Sequence, residues 1–169
     1  MMNDVFGRRI DYLRLSVTDR CNLRCVYCLP QAAPRFAPSA ELLSDDEIVT
    51  LAGAFARLGV SKIRITGGEP LVRPGLPALV RRLSAIPGIS DLSLSTNGVL
   101  LAGLAGELKA AGLRRVNISL DTLSPERFTQ IARHGSLKSV LDGIGAALDA
   151  GLAPVKLNVV VARDMNADE

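Results

Sequence analysis

The sequence predicts an α/β fold in which a parallel sheet curves into an incomplete (β/α) barrel. Predicted strands alternate with predicted helices along the chain, and each predicted strand has one apolar and one polar face. Strands and helices that alternate in this way are joined by right-handed crossovers, which give a parallel sheet. The sequence ends just after a strand, with no helix to cover it. We therefore expect one domain over residues 1–169 that is a fragment of a longer barrel, truncated on its C-terminal side.

The predicted elements follow one another without a linker or a repeat. The first strand leads into TDRCNLRCVYCLP, residues 18–30, and then into a Pro- and Ala-rich loop, QAAPRFAPSAELLS. Ser44 and Glu47 form a capping box that starts the first helix, which should end near Gly59. SKIRITGGEP is a strand that enters a Gly-Gly turn. A later helix begins at Ser124 and Pro125, with serine as its cap. The remaining elements are helix GLPALVRRLSAI, strand ISDLSLSTNG, helix LLAGLAGELKAAG, strand LRRVNISLDT, helix SVLDGIGAALDAG and strand APVKLNVVVARD.

The two faces of the predicted strands differ in polarity, because successive side chains of a strand point to opposite faces. The helices need the apolar face for packing, so the polar face should point inward. Closed barrels are filled with branched apolar residues, and a buried polar interior is costly unless its groups are paired or solvated. We therefore expect a wide barrel with a solvated lumen; the alternative is a sheet with helices on one face and solvent on the other. The apolar set is Leu13, Leu15, Val17, Ile63, Ile65, Leu92, Leu94, Val116, Ile118, Leu120, Leu157 and Val159; the polar set is Arg14, Ser16, Thr18, Arg64, Thr66, Gly68, Ser93, Ser95, Asn97, Asn117, Ser119, Asp121, Lys156 and Asn158.

Three cations belong to this polar set: Arg14, Arg64 and Lys156. They favour an anionic ligand, and arginine in particular suits the bidentate binding of phosphate. In the alternative interpretation, the cations form salt bridges inside the lumen, for example with Asp121.

All three cysteines of the chain, Cys21, Cys25 and Cys28, lie within eight residues and are spaced C-x3-C-x2-C. The odd number disfavours a set of disulfides. A structural zinc site takes four ligands, and the one histidine, His134, is far along the chain in a polar segment where we expect a surface loop. Iron–sulfur clusters are held by thiolates. Three thiolates on a four-iron cluster leave one iron for an exchangeable ligand, and an open metal position is where chemistry takes place.

The composition narrows the class of protein. Hydrophobic residues make up 48% and charged residues 22% of the chain, which predicts a globular domain. The formal net charge is +3, and no run of Lys and Arg is dense enough to indicate nucleic-acid binding. No window approaches the ~18 consecutive apolar residues that span a bilayer, and the N-terminus lacks the features of a signal peptide. We expect a cytoplasmic protein with no nucleic-acid or membrane partner.

The segment CNLRCVYC, together with TGGEP after the second predicted strand, resembles the radical S-adenosylmethionine (SAM) enzymes. GGEP by itself could be only a strand-to-helix turn. The resemblance implies a TIM-barrel-like partial (β/α)6 barrel and one 4Fe-4S cluster held by Cys21, Cys25 and Cys28. It also implies that SAM chelates the remaining iron through its amino and carboxylate groups, and that an electron from the cluster cleaves SAM into methionine and a 5′-deoxyadenosyl radical. Gly67 and Gly68 would let the backbone approach a ligand where a Cβ would clash.

Longer segments are similar to the GTP 3′,8-cyclases of molybdenum-cofactor biosynthesis: GRRIDYLRLSVTDRCNLRCVYCLP, KIRITGGEPLVR, LSTNGVLL, AGLRRVNISLDTL and VKLNVVV. This resemblance implies a lyase in which the radical takes hydrogen from C3′ of the GTP ribose, after which C3′ bonds to guanine C8. The implied partners are GTP, an electron donor, a second copy of the chain in a homodimer, and a cyclic pyranopterin synthase that acts on the product. The implied SAM contacts are Tyr27, Gly68 and Ser119, and the implied GTP contacts are Arg14, Arg64, Ser95 and Lys156.

The resemblance ends before the C-terminal part of that family. Its members are longer and carry a second three-cysteine cluster that anchors the guanine, followed by a tail that ends in Gly-Gly. We therefore expect the 169 residues to bind one cluster and SAM but not to complete the cyclisation by themselves. Two alternatives remain: a different radical SAM enzyme, such as a peptide-maturing one, which need not carry Arg14, Arg64 and Lys156, and a non-catalytic iron–sulfur or zinc-binding module.

Overall fold

The computed structural model describes residues 2–28 and 36–169, which form a five-stranded parallel sheet with helices packed against it. Residues 29–35, the end of the cysteine segment and the start of the predicted Pro- and Ala-rich loop, lie outside the described residues. The strands are β1 (Tyr12–Ser16), β2 (Lys62–Thr66), β3 (Asp91–Thr96), β4 (Arg115–Ser119) and β5 (Val155–Asn158). The helices are α1 (Asp45–Arg57), α2 (Leu76–Ser84), α3 (Ala105–Ala110), α4 (Pro125–Ala132) and α5 (Leu137–Asp149). None of the helices described is long and apolar enough to cross a membrane.

The strands lie side by side in the order of the sequence, β1-β2-β3-β4-β5, and every neighbouring pair is parallel. Each crossover therefore steps in the same direction across the sheet. Right-handed crossovers that all step in one direction place all the helices on one face. This is the wall of a (β/α) barrel, so the predicted α/β fold with an incomplete barrel is confirmed.

The core lies between the apolar face of the sheet and the inner faces of the helices. The expected division into two faces is confirmed for the central strands, whose apolar side chains are buried: Ile63, Ile65, Leu92, Leu94, Val116 and Ile118. The two edge strands differ. Leu13 and Leu15 of β1 are only half-buried, and Leu157 of β5 is exposed together with Val159 just beyond it. Among the described residues, β5 pairs with β4 on one side only, so its side chains are less covered than those of the central strands.

The strand register joins the polar side chains into rows across the sheet. One row places Arg14 beside Arg64 and Arg64 beside Ser93. Another row places Asn117 between Ser95 and Lys156. The predicted polar face is therefore one continuous surface that runs from β1 to β5.

Local signals set most of the element boundaries. The capping box is present: the Ser44 hydroxyl accepts a hydrogen bond from the Glu47 amide, and the Glu47 carboxylate accepts one from the Ser44 amide. Ser124 caps α4 as predicted, by accepting from the Arg127 amide.

Two predicted elements are shorter than expected. The predicted helix from Leu100 to Gly112 is divided into a 3-10 turn, Leu101–Gly103, and the six-residue α3. The predicted last strand ends at Asn158 because Asp121 accepts a hydrogen bond from the Val160 amide and the Asn166 side chain donates to the Val160 carbonyl. These bonds turn the chain away from the sheet.

Candidate functional site

The cysteine segment begins at the carboxyl edge of the parallel sheet. After β1, the Val17 amide donates to the Thr66 carbonyl at 3.0 Å, so the chain continues beside the end of β2. Two further backbone bonds, from Gly68 to Thr18 and from Glu69 to Arg20, are both 2.8 Å long. They join residues 18–20 to the GGEP turn. Ligands of parallel α/β folds and barrels bind at this edge.

The two glycines of the turn are required by this close approach. A Cβ at Gly67 would lie 2.4 Å from the Thr18 carbonyl oxygen, and one at Gly68 would lie 2.4 Å from the Arg20 carbonyl oxygen. Both neighbours are backbone atoms, which cannot move aside as a flexible side chain can. The sequence explained these glycines by the approach of a ligand, whereas the structure explains them by the approach of the chain that carries the cysteines.

The three thiols are free and lie on one loop, residues 21–28, which we call the cysteine loop. This loop is hydrogen-bonded to α4. The Arg24 amide donates to the Ala132 carbonyl and the Val26 amide to the Ile131 carbonyl, both at 3.0 Å. Cys21 and Cys25 are half-buried, and Cys28 is exposed. Burial raises the pKa of both the Cys21 and the Cys25 thiols, and the nearby charge of Cys28 raises them further.

A buried carboxylate, Glu69 of the GGEP turn, lies behind the first cysteine. It is only 1% exposed. One oxygen accepts from the Leu71 amide at 3.0 Å and from the Thr96 hydroxyl at 2.7 Å, and the other accepts from the Asn97 amide at 2.6 Å. Burial raises the pKa of Glu69, although these three hydrogen bonds act in the opposite direction. Glu69 thus joins the end of β2 to the end of β3.

A small cavity of about 30 Å³ separates the cysteine loop from the carboxyl ends of β3 and β4. Cys25, Tyr27, Asn97, Ser119 and Asp121 are among the side chains that line it. The Tyr27 hydroxyl donates to Asp121 at 2.6 Å, which links the cysteine loop to the loop after β4. The structure therefore brings together Cys25 and two of the three residues predicted to contact SAM, Tyr27 and Ser119. The third, Gly68, belongs to the GGEP turn and does not line this cavity.

The residues predicted to contact GTP lie on the polar face of the sheet. Arg14 and Lys156 are exposed, Arg64 and Ser95 are half-buried, and the two arginines are neighbours in the register. The Arg64 guanidinium lies 5.5 Å from the centre of the Tyr12 ring, and its buried Nε has no hydrogen-bond partner among the described residues.

The alternative in which these cations form salt bridges with Asp121 is not realised in the described part of the chain. Asp121 accepts instead from Tyr27 and from the Val160 amide. No ion pair of Arg14, Arg64 or Lys156 is present among residues 2–28 and 36–169. The positive charge of the polar face is thus available to an anion.

His134 is exposed in the turn between α4 and α5, as expected for a surface residue. Within the described ranges, no group of three or more His, Cys, Asp or Glu side chains is placed to hold a single metal ion.

Sequence reasoning missed the roles of Glu69, Asn97 and Asp121 in supporting the cysteine loop. Glu69 stands in TGGEP, a motif of the family resemblance, and Asn97 belongs to the predicted polar set, but neither pattern indicates a contact between the two residues or with the cysteine loop.

Comparison with known proteins extends these observations. A family model described as the radical SAM superfamily matches residues 15–169. A relative from Pelotomaculum thermopropionicum, named GTP 3′,8-cyclase, is 58% identical over 168 residues, which are 99% of this chain and 52% of the relative. A relative of the same name from Moorella thermoacetica is 55% identical over the same shares of the two chains. The chain spans about half the length of the curated relatives it matches.

Solved structures share the fold at low sequence identity. HydG, described as a maturase of the FeFe-hydrogenase, has a TM-score of 0.73 at 15% identity, over 92% of this chain and 36% of its own. Methylornithine synthase (PylB) has a TM-score of 0.70 at 14% identity, over 88% of this chain and 44% of its own. These likenesses concern the fold alone. The family model, by contrast, covers nearly the whole sequence, and the chain belongs to the radical SAM superfamily.

Proposed function

We propose that this chain is the cluster- and SAM-binding part of a GTP 3′,8-cyclase, a lyase that converts GTP to its 3′,8-cyclo-7,8-dihydro derivative. The observation that carries the proposal is the identity of 58% to a GTP 3′,8-cyclase over 99% of this chain. The chain corresponds to about half of that relative, so the activity of the whole enzyme is part of the proposal.

The residues present fit the cofactors of the family, a 4Fe-4S cluster and SAM. Cys21, Cys25 and Cys28 are free thiols on one loop, and thiolates are the soft ligands that iron–sulfur clusters take. We assign the cluster to these three residues, and SAM to Tyr27, Gly68 and Ser119 beside them. When bound, the cluster and SAM supply a carbon-centred radical that can remove a hydrogen atom from C3′ of a ribose.

The substrate assignment rests on the charge of the polar face. Arg14, Arg64 and Lys156 project from β1, β2 and β5, and they are not neutralised by carboxylates of the described residues. Guanidinium groups bind phosphate oxygens in a bidentate manner. We assign the GTP phosphates to these three cations and a further polar contact to Ser95. The chain then holds the substrate on the polar face of the sheet, whose carboxyl edge carries the thiols.

The same proposal includes the partners of the reaction. It requires an electron donor, and a cyclic pyranopterin synthase consumes its product. A homodimer and a cytoplasmic location also belong to the proposal.

The test is to measure GTP and SAM binding to the anaerobically reconstituted chain and to two variants, Arg64→Ala and Lys156→Ala. A lost charged contact costs ~1.5–3 kcal/mol, which is roughly ten- to hundredfold in affinity. We expect GTP binding to weaken by this factor in each variant while SAM binding stays within about twofold, since SAM is assigned to other residues.

Matched controls remove the same charge elsewhere. Arg81 and Lys138 are exposed on the helices α2 and α5, away from the polar face, so Arg81→Ala and Lys138→Ala should bind both ligands like the parent chain. Equal losses of SAM and GTP in Arg64→Ala and Lys156→Ala would show that the polar face is not a separate substrate site. A chain that binds iron and SAM but no GTP would favour another radical SAM reaction.

A further inference from the structure

The side-chain amide of Asn97 is held in one orientation directly beside the first cysteine. Its Oδ1 accepts a hydrogen bond from the Val99 amide at 3.1 Å. A backbone N–H can only donate, so the oxygen of Asn97 must face Val99 and the Nδ2 must face the other way. The two Nδ2 hydrogens then have two acceptors, Asn22 Oδ1 at 2.7 Å and the Cys21 sulfur at 3.9 Å.

The buried carboxylate of Glu69 holds Asn97 in this place. It accepts from the Asn97 backbone amide at 2.6 Å and from the hydroxyl of the preceding Thr96 at 2.7 Å. Glu69 itself is fixed by the GGEP turn, whose backbone is bonded to the residues just before Cys21. Glu69 therefore links two parts of the site. One is the backbone segment that leads into Cys21, and the other is Asn97, whose side chain points at the Cys21 sulfur.

We propose that Asn97 is a positioning and tuning residue of the iron–sulfur site, which donates a hydrogen bond to the Cys21 sulfur and raises the reduction potential of the cluster, and that Glu69 keeps it in position. This inference rests on the proposed function, because it requires that Cys21 binds the cluster.

The direction of the effect follows from charge. A donor beside a thiolate stabilises negative charge on the sulfur, and reduction adds negative charge to the cluster. The hydrogen bond therefore favours the reduced form more than the oxidised form. Partners outside the ligand set commonly tune a metal site in this way. The Leu23 amide, which lies 3.4 Å from the same sulfur, acts in the same direction but belongs to the backbone and is present in every variant.

The experiment is a redox titration of the reconstituted chain, followed by electron paramagnetic resonance, with iron content measured on each sample. In Asn97→Ala, we expect reduction to become about tenfold less favourable, which is about 59 mV for one electron. Asn97→Asp is nearly isosteric and keeps the oxygen that accepts from Val99, but it replaces the donor by an acceptor, so its potential should fall at least as far. In Glu69→Gln, the loss of the bond to the Asn97 amide lowers the potential, while the loss of a negative charge near Cys21 raises it, so its potential should fall less than that of Asn97→Ala.

Asn22→Asp is the matched control. It adds a negative charge next to the same cysteine but leaves the Asn97 donor in place, so its potential should fall less than that of Asn97→Asp. If Asn97→Ala loses its iron, the reduction potential of Asn97→Asp is used instead to test the role of the Asn97 donor. Unchanged potentials at full iron content in both Asn97 variants, or equal shifts in Asn22→Asp and Asn97→Asp, would overturn the inference. A parent chain that takes up no iron would contradict the proposed function instead.

Discussion

Single residues of the cysteine loop should each be necessary for the cluster, although they differ in burial. Replacing Cys25 by Ala removes a thiolate, and two thiolates do not hold a four-iron cluster firmly. We expect Cys25→Ala, and likewise the Ala variants of Cys21 and Cys28, to lose the brown iron–sulfur absorbance after anaerobic reconstitution. Val26→Ala is the control, since Val26 is an exposed neighbour that contacts α4 through its backbone. An intact cluster in Cys25→Ala, or bound zinc without iron in the parent chain, would contradict the assignment.

Tyr27 should titrate abnormally, because of where its hydroxyl lies. Tyr27 is 44% exposed, but partial burial, together with the hydrogen bond to Asp121, raises the pKa of Tyr27 above its ordinary value of 10.0. The unfolded chain then loses this proton at lower pH than the folded chain. The contribution of Tyr27 to the free energy of unfolding should therefore be fully present below pH 10.0 and be lost as the pH rises towards the raised pKa.

The chain has only two tyrosines, so the difference between the parent chain and Tyr27→Phe isolates the titration of Tyr27. We expect the tyrosinate absorbance of this difference to appear well above pH 10.0. Asp121→Asn removes the neighbouring negative charge, so it should move the pKa of Tyr27 down, but only part of the way because burial remains. A Tyr27 that titrates at its ordinary value in the parent chain would show that its hydroxyl is neither shielded from solvent nor bonded to Asp121 in solution.

Residues were predictable from the sequence where a local pattern carries the chemistry. The thiols of Cys21, Cys25 and Cys28 stand out by spacing alone, and their motif led to the family. Glu69 and Asn97 lie 28 positions apart, and their contact exists only because β2 and β3 end side by side. A single sequence contains no signal for a bond that is created by strand pairing, so their joint role required the structure.

At the scale of elements, the GGEP turn and the segment before Cys21 should tolerate no added methyl group. A Cβ at Gly68 would lie 2.4 Å from the Arg20 carbonyl oxygen and 2.6 Å from that of Asp19. Overpacking of this kind costs about 1–3 kcal/mol. We expect Gly68→Ala to lower the free energy of unfolding by that amount in urea titrations, and Gly67→Ala to act similarly.

Gly145 provides the control for this prediction. It lies within α5, and a Cβ there meets nothing within 4 Å. Ala is favoured over Gly inside a helix by roughly 0.5–1 kcal/mol, so Gly145→Ala should stabilise the chain. If Gly68→Ala were as stable as the parent chain, the two segments would not be in the contact that the structure gives them.

Elements were predictable to the extent that local chemistry sets their ends. The capping box at Ser44 and the Ser124 cap located α1 and α4 correctly. The end of β5 was misjudged because the apolar run Val159, Val160 and Val161 continues the strand pattern. What ends the strand is a side chain from another element, Asp121, which binds the Val160 amide. The local pattern cannot contain such a bond.

At the scale of the whole molecule, the order of the strands determines where the candidate site lies, because it places the helices on one face of the sheet. The described helices pack on the apolar face of the sheet, and on its polar face Arg14 and Lys156 are exposed while Arg64 is half-buried. Ser93 and Asn117, at the centre of the polar face, are buried. The same strand order leaves β5 paired on one side only among the described residues. The molecule thus combines an open charged surface with an open apolar edge.

This apolar edge should make the 169-residue chain self-associate. Leu157 is 52% exposed and Val161 is 70% exposed, and with Leu120 they line a groove of about 280 Å³ beside β5, which is paired on one side only among the described residues. Such edges pair with other chains. Burying one Leu side chain gains about 1.5–3 kcal/mol, or roughly ten- to hundredfold in association. We expect sedimentation to show concentration-dependent association of the parent chain that Leu157→Lys weakens by that factor. Leu148→Lys, which adds the same charge at a leucine that is 60% exposed on α5, should associate like the parent chain. If both variants weakened association equally, net charge and not the β5 edge would control it.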